Sequence, residues 1–148
     1  MKTFALNKRA KYDYEILETF EAGLVLKGYE VKSIKTGHIS LKGAYVIIKN
    51  NEAYLINSSV PPYQPKNISE DYDPNRTRKL LLHKKEIKSL LGKSKERGLT
   101  LVPIKMYTKK GKIKLELGIG KGRKKIDKRE VIKKRETKRE IERKLKEK

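Results

Sequence analysis

AYVIIK-NN-EAYLIN, residues 44 to 57, decides the fold. Two runs rich in β-branched and aromatic residues flank Asn50-Asn51, and asparagine tolerates the positive φ that a two-residue hairpin turn demands. Working outward, LTLVPIKMY (99–107) and KIKLELGI (112–119) make a second hairpin around Lys109-Lys110-Gly111, with Pro103 marking an edge or bulge. Upstream, YDYEILETFEAGLVL (12–26) alternates imperfectly, as one curved or bulged strand would, and Gly23 inside it predicts a bend or a close backbone approach. Residues 1–10 are basic and expected to be loosely held. YEVKSIKT (29–36) fits either a short helix or a strand. PPYQPKNISEDYDPN (61–75) is a loop by its Pro, Asn and Asp content. RTRKLLLHKKEIKSLLGKSKERG (76–98) places Leu82, Ile87, Leu90 and Leu91 near helical spacing and predicts a helix stopped at Gly98. Several strands with few helices give a mainly β fold with α. The expectation is an OB-like antiparallel β-barrel, closed or partly open, with outer helices and a basic C-terminal tail.

That tail sets the charge problem. The chain has 148 residues and a net charge of +21. Residues 121–148 carry 15 Lys or Arg against 6 Asp or Glu, a balance of +9, with Ile126, Val131, Ile132, Ile141 and Leu145 as the large apolar residues. Such a segment cannot bury enough apolar surface to offset its ordering entropy. It is expected to be disordered when free and helical in a complex with a polyanion. The division is therefore 1–120 for the OB-like barrel and 121–148 for the tail. An anionic membrane would require a broad apolar face, which the tail lacks. There is no cysteine, hence no disulfide or thiolate chemistry. No signal-like or bilayer-spanning run occurs, so the expected location is cytoplasmic.

Catalysis finds little support. Glu70, Asp71 and Asp73 sit together in a turn-rich loop, whereas a two-metal nuclease site needs carboxylates from separate rigid elements. His38 and His83 have no partners at ligand spacing. GIGKGRKK, with Gly118, Gly120 and Gly122, matches no nucleotide-binding fingerprint and reads as a loosened exit into the tail. The expectation is no enzyme, no cofactor and no metal. The basic clusters are better candidates, because neighbouring acids are too few to neutralise them. Arg76, Arg78 and Lys79 form one cluster, and Lys121, Arg123, Lys124 and Lys125 another. Each phosphate contact from such residues adds salt-dependent affinity. Some of the tyrosines, among them Tyr12, Tyr14, Tyr29, Tyr63 and Tyr72, could stack on unpaired bases.

FEAGLVLKGYEVKSIKTGHISLKGAYV, DPNRTRKLLLHKKEI and GKGRKKIDKREVIKKRE, in that order, resemble the SmpB family. The resemblance runs from about Leu6 to Glu142. It implies an OB-like barrel that binds the tRNA-like domain of transfer-messenger RNA. It implies delivery of that RNA, with elongation factor Tu, to stalled ribosomes for trans-translation. The implied RNA-binding residues are Glu21 of FEAG, Leu81 of RKLLLH and Lys114 of the last strand. Asp127, Lys128 and Arg129 correspond to the family's DKR motif, whose implied place is the small-subunit decoding centre, with the tail in the mRNA channel. Some members carry His or an aromatic residue just before DKR; Ile126 here leaves at most an apolar contact. A ribosomal protein with a basic extension and a metal-dependent nuclease are the rival classes, and neither accounts for the ordered motifs.

Overall fold

The computed structural model describes residues 2–63 and 71–123, together with positions 129, 135, 136 and 139. Its elements are β1 (Thr3–Leu6), α1 (Ala10–Asp13), β2 (Tyr14–Leu24), α2 (Gly28–Lys35), β3 (Tyr45–Lys49) and β4 (Glu52–Ile56). They continue with β5 (Arg78–Leu81), α3 (Lys84–Ser94), β6 (Leu99–Lys109) and β7 (Lys112–Gly122). Both expected hairpins form. Asn50 and Asn51 have φ of 52° and 60°, and Lys110 and Gly111 have 52° and 77°, so each two-residue turn is left-handed at both positions and matches the twist of its strands.

The strands make one antiparallel sheet in the order β1-β6-β7-β2-β5-β4-β3. β3 comes up against β6, but no ladder joins them among the described residues, so the sheet curls and stays open along that seam. Ala22, Leu55, Leu80, Leu115 and Leu117 fill its concave side, and Ile34 of α2 and Leu90 of α3 join the same core. A bulge at Ile16/Glu18 in β2 and another at Pro103/Lys105 in β6 reverse the alternation of side chains. A second cluster, Ala10, Val102 and Ile104 with Tyr14 and Ile16, consequently forms on the opposite face.

Several expectations change. Residues 3–6 are not loose: they pair with β6 as an edge strand. The open choice over 29–36 resolves to helix α2, where Glu30 at the third helical position accepts the Lys27 N–H at 2.8 Å. The helix expected from Arg76 begins only at Lys84, because Arg78–Leu81 pairs with both β2 and β4. Gly118 and Gly120 do not loosen an exit. They lie inside β7, and a Cβ at Gly118 would stand 2.9 Å from Ile16 Cγ2, while one at Gly120 would stand 2.9 Å from Tyr14 Cβ. The strand runs on to Gly122, and Arg123 is tied to α1 through its N–H to Asp13 O (2.8 Å) and its Nε to Lys11 O (3.1 Å).

Candidate nucleic-acid interface

The alternation of β5 builds the site. Arg78 and Leu80 point inward and are buried, while Lys79 and Leu81 point outward. Beside β5, β2 presents Glu21 and Gly23 on the same face, and β7 presents Lys114 in register with Gly23. These residues border a groove of about 580 Å³ whose rim also includes Glu52 and His83. Gly23 forms its floor: a Cβ there would lie 3.4 Å from Leu81 Cβ and 3.8 Å from Lys114 Nζ. Leu81 is 52% exposed, although water penalises an open leucine; a flat apolar partner would cover it. Glu21, Leu81 and Lys114, far apart in sequence, thus meet in one place.

Glu21 is held in a defined way. Tyr107 Oη donates to Oε2 at 2.5 Å, and Lys109 Nζ lies 3.4 Å from the same oxygen. The tyrosine hydrogen bond, with help from Lys109 and Lys114, holds the carboxyl below its usual range even against partial burial, so it is an ionised acceptor. Across the groove Tyr54 donates to Glu52 at 2.6 Å, and Lys79 Nζ lies 3.0 Å from Glu52's other oxygen. Lys79 is therefore an outward but paired cation. Lys105, Lys109, Lys112 and Lys114 give this face its positive field, with Lys105 also 3.5 Å from Glu116.

Both arginines of RTRK turn to Glu30, and the expectation that Arg78 binds RNA is corrected by its burial. Arg78 is fully buried and cannot meet a phosphate. Its Nε and Nη2 donate to Glu30 Oε2 at 2.9 and 2.6 Å, and Nη1 donates to Ser58 O at 2.9 Å and Ser58 Oγ at 3.0 Å. Pro74 O and Arg76 O accept its remaining N–H directions at 3.1 Å each. Arg76 also turns to Glu30, through Nε at 3.0 Å and a short bond from Nη2 to Oε1. Burial pushes the Glu30 carboxyl up, but hydrogen bonds from Arg76, the Lys27 N–H and Arg78 outweigh this and hold it at about 2. Tyr72 completes the group, donating toward Val60 O (2.7 Å) and Glu30 (3.1 Å) while its ring meets Tyr29 edge-on at 5.0 Å. In place of a free arginine cluster, the fold has an internal brace.

The remaining candidates divide by position. Lys121 is exposed at the far end of β7, and Arg123 is partly exposed while anchoring to α1. Lys124, Lys125, Ile126, Asp127 and Lys128 lie outside the described residues. Arg129 is helical and exposed, as are Arg135, Glu136 and Arg139. Tyr14, Tyr29 and Tyr72 are used in packing, and Tyr12 lies beneath Arg9 at 5.2 Å. Asp73 closes a turn by accepting the Asn75 N–H at 2.9 Å, as its loop composition implied. Among the described residues no group of three His, Cys, Asp or Glu is placed to hold a metal, and no helix is long and apolar enough to cross a membrane. Sequence reading missed Tyr107 and Glu52. Tyr107 could have been found from the parity of KMYTK once the bulge at Pro103 was placed.

A curled antiparallel sheet with an open lysine-bearing face, a solvent-exposed leucine and a fixed carboxylate defines a small nucleic-acid-binding protein. The chain belongs to the SmpB protein family, whose model matches residues 4–147. It is 52% identical over 146 residues to the SsrA-binding protein of Geobacillus kaustophilus, covering 99% of this chain and 94% of that one. The SsrA-binding protein of Thermosynechococcus vestitus is 49% identical over 146 residues, with 99% and 96% covered. A solved structure described as "tmRNA-SmpB: a journey to the center of the bacterial ribosome" superposes with a TM-score of 0.66 at 48% identity, covering 81% of this chain and 84% of that one.

Proposed function

We propose that this protein binds the tRNA-like domain of transfer-messenger RNA through the groove of Glu21, Leu81 and Lys114, and brings it to stalled ribosomes for trans-translation. The observation that carries this reading is the convergence of those three side chains around Gly23. Each has a job RNA requires. Lys114 meets phosphate, Leu81 offers an apolar surface to an unstacked base, and ionised Glu21 accepts from base amino groups or ribose hydroxyls. The similarity to SsrA-binding proteins over nearly the whole chain supports the same reading.

The curl of the sheet, with β3 against β6, supports describing it as an OB-like barrel left open at one seam. Lys79 at the groove, with Lys121, Arg123, Lys124 and Lys125 at the base of the tail, adds electrostatic attraction. Asp127, Lys128 and Arg129 would act at the decoding centre, the rest of the tail would follow the mRNA channel, and elongation factor Tu would share the delivery complex. The setting would be the cytoplasm, with no catalytic step by this chain. Ending the chain after Arg123 tests the division, since Arg123 is part of the folded unit. The shortened protein should bind the tRNA-like domain with little loss and fail to support tagging of stalled peptides. Loss of RNA binding would overturn the assignment of that task to the groove.

A further inference from the structure

We propose that Tyr107 is a positioning residue of the RNA interface: it fixes one oxygen of Glu21 so that the other faces the groove as an acceptor for an amino or hydroxyl donor of the RNA. This rests on the reading of Glu21 as an RNA contact. Tyr107 is only 4% exposed, so it is placed to act through another group and not by stacking on a base itself. Its hydroxyl meets Glu21 Oε2 at 2.5 Å, from a strand two positions away in the sheet. Lys109 reaches the same oxygen at 3.4 Å, and among the described residues no donor is placed on Oε1.

The ring itself is fixed. Lys105 Nζ lies 5.3 Å from its centroid, over the face, and Lys105 is steadied by Glu116 at 3.5 Å. Burial and the adjacent Glu21 push the Tyr107 hydroxyl up, which keeps it protonated and therefore a donor. A surface glutamate ordinarily samples several rotamers, and ordering it on binding costs affinity. A buried tyrosine that orders it beforehand removes much of that cost. The bulge at Pro103/Lys105 matters here, because without it Tyr107 would point to the opposite side of the sheet.

The test is a double-mutant cycle read as affinity for the tRNA-like domain of transfer-messenger RNA, with thermal melting in parallel. Tyr107→Phe keeps the ring and removes the hydroxyl. It should weaken binding about three- to ten-fold in the Glu21 protein and have no further effect in the Glu21→Gln background. It should also raise the Glu21 carboxyl titration, read by NMR on the free protein. If Glu21→Gln leaves affinity unchanged, the RNA contact of Glu21 falls and the inference with it. If Glu21→Gln weakens binding while Tyr107→Phe does not, or does so equally in both backgrounds, the contact stands and the positioning role is overturned.

Discussion

Two glutamates nine positions apart meet opposite fates. Glu30 is sealed inside with Arg76, Arg78, Lys27 N–H and Tyr72 around it, and every bond it can accept is used within the fold. Glu21 stands on the face of the sheet, held at one oxygen by Tyr107. The first carboxylate ties α2 to β5 and to the loop before it. The second is left with capacity for something outside. Charge alone does not separate them, since both are ionised. What separates them is whether the partners come from the same chain.

The largest effect is expected from Arg78→Ala. It strands Glu30 in the interior, and breaking a buried pair from one side costs about 3–5 kcal/mol. Thermal melting should show a large fall, and a change no greater than that of a surface lysine variant would refute the brace. The pH dependence comes next. The Glu30 carboxyl titrates near 4.5 in the unfolded chain and at about 2 in the folded one, so its contribution is whole above 4.5 and is lost as pH falls toward 2. That contribution is about 3 kcal/mol, and acid titrations of stability should show it in the native protein and not in Glu30→Gln. Glu21→Gln should do the reverse: RNA affinity falls about ten-fold, while stability stays within about 0.5 kcal/mol. The smallest effect belongs to Lys114→Ala, which should reduce the slope of log affinity against log salt by about 1.

Features fixed by neighbours in sequence were legible, and features fixed by distant partners were not. Hairpins were legible because Asn50-Asn51 and Lys110-Gly111 announce their turns locally. Glu21, Leu81 and Lys114 came through resemblance, since nothing local says that three residues on three strands share a groove. RTRKLLLH misled because β5 inverts the usual rule, with an arginine inside and a leucine outside. A reader of polarity assigns Arg78 to solvent and Leu81 to a helix face. Only the partner, Glu30, 48 positions away, reverses that. Gly118 and Gly120 misled for a related reason: they read as flexible when alone, but Tyr14 and Ile16 lie across them. The bulges that put Tyr107 beside Glu21 depend on register, which a single chain does not spell out.

β7 has one more consequence. Lys114 borders the groove at one end of the strand, and Arg123, just past the other end, is bolted to α1 where the basic tail departs. Nine residues of strand at roughly 3.3 Å each separate them by about 30 Å. The sheet pairs on both flanks of that strand and the bracket at Arg123 make this separation a fixed ruler. A molecule held in the groove and a second site addressed by the tail would then be kept at a set spacing, and the scaffold between them would work as a gauge.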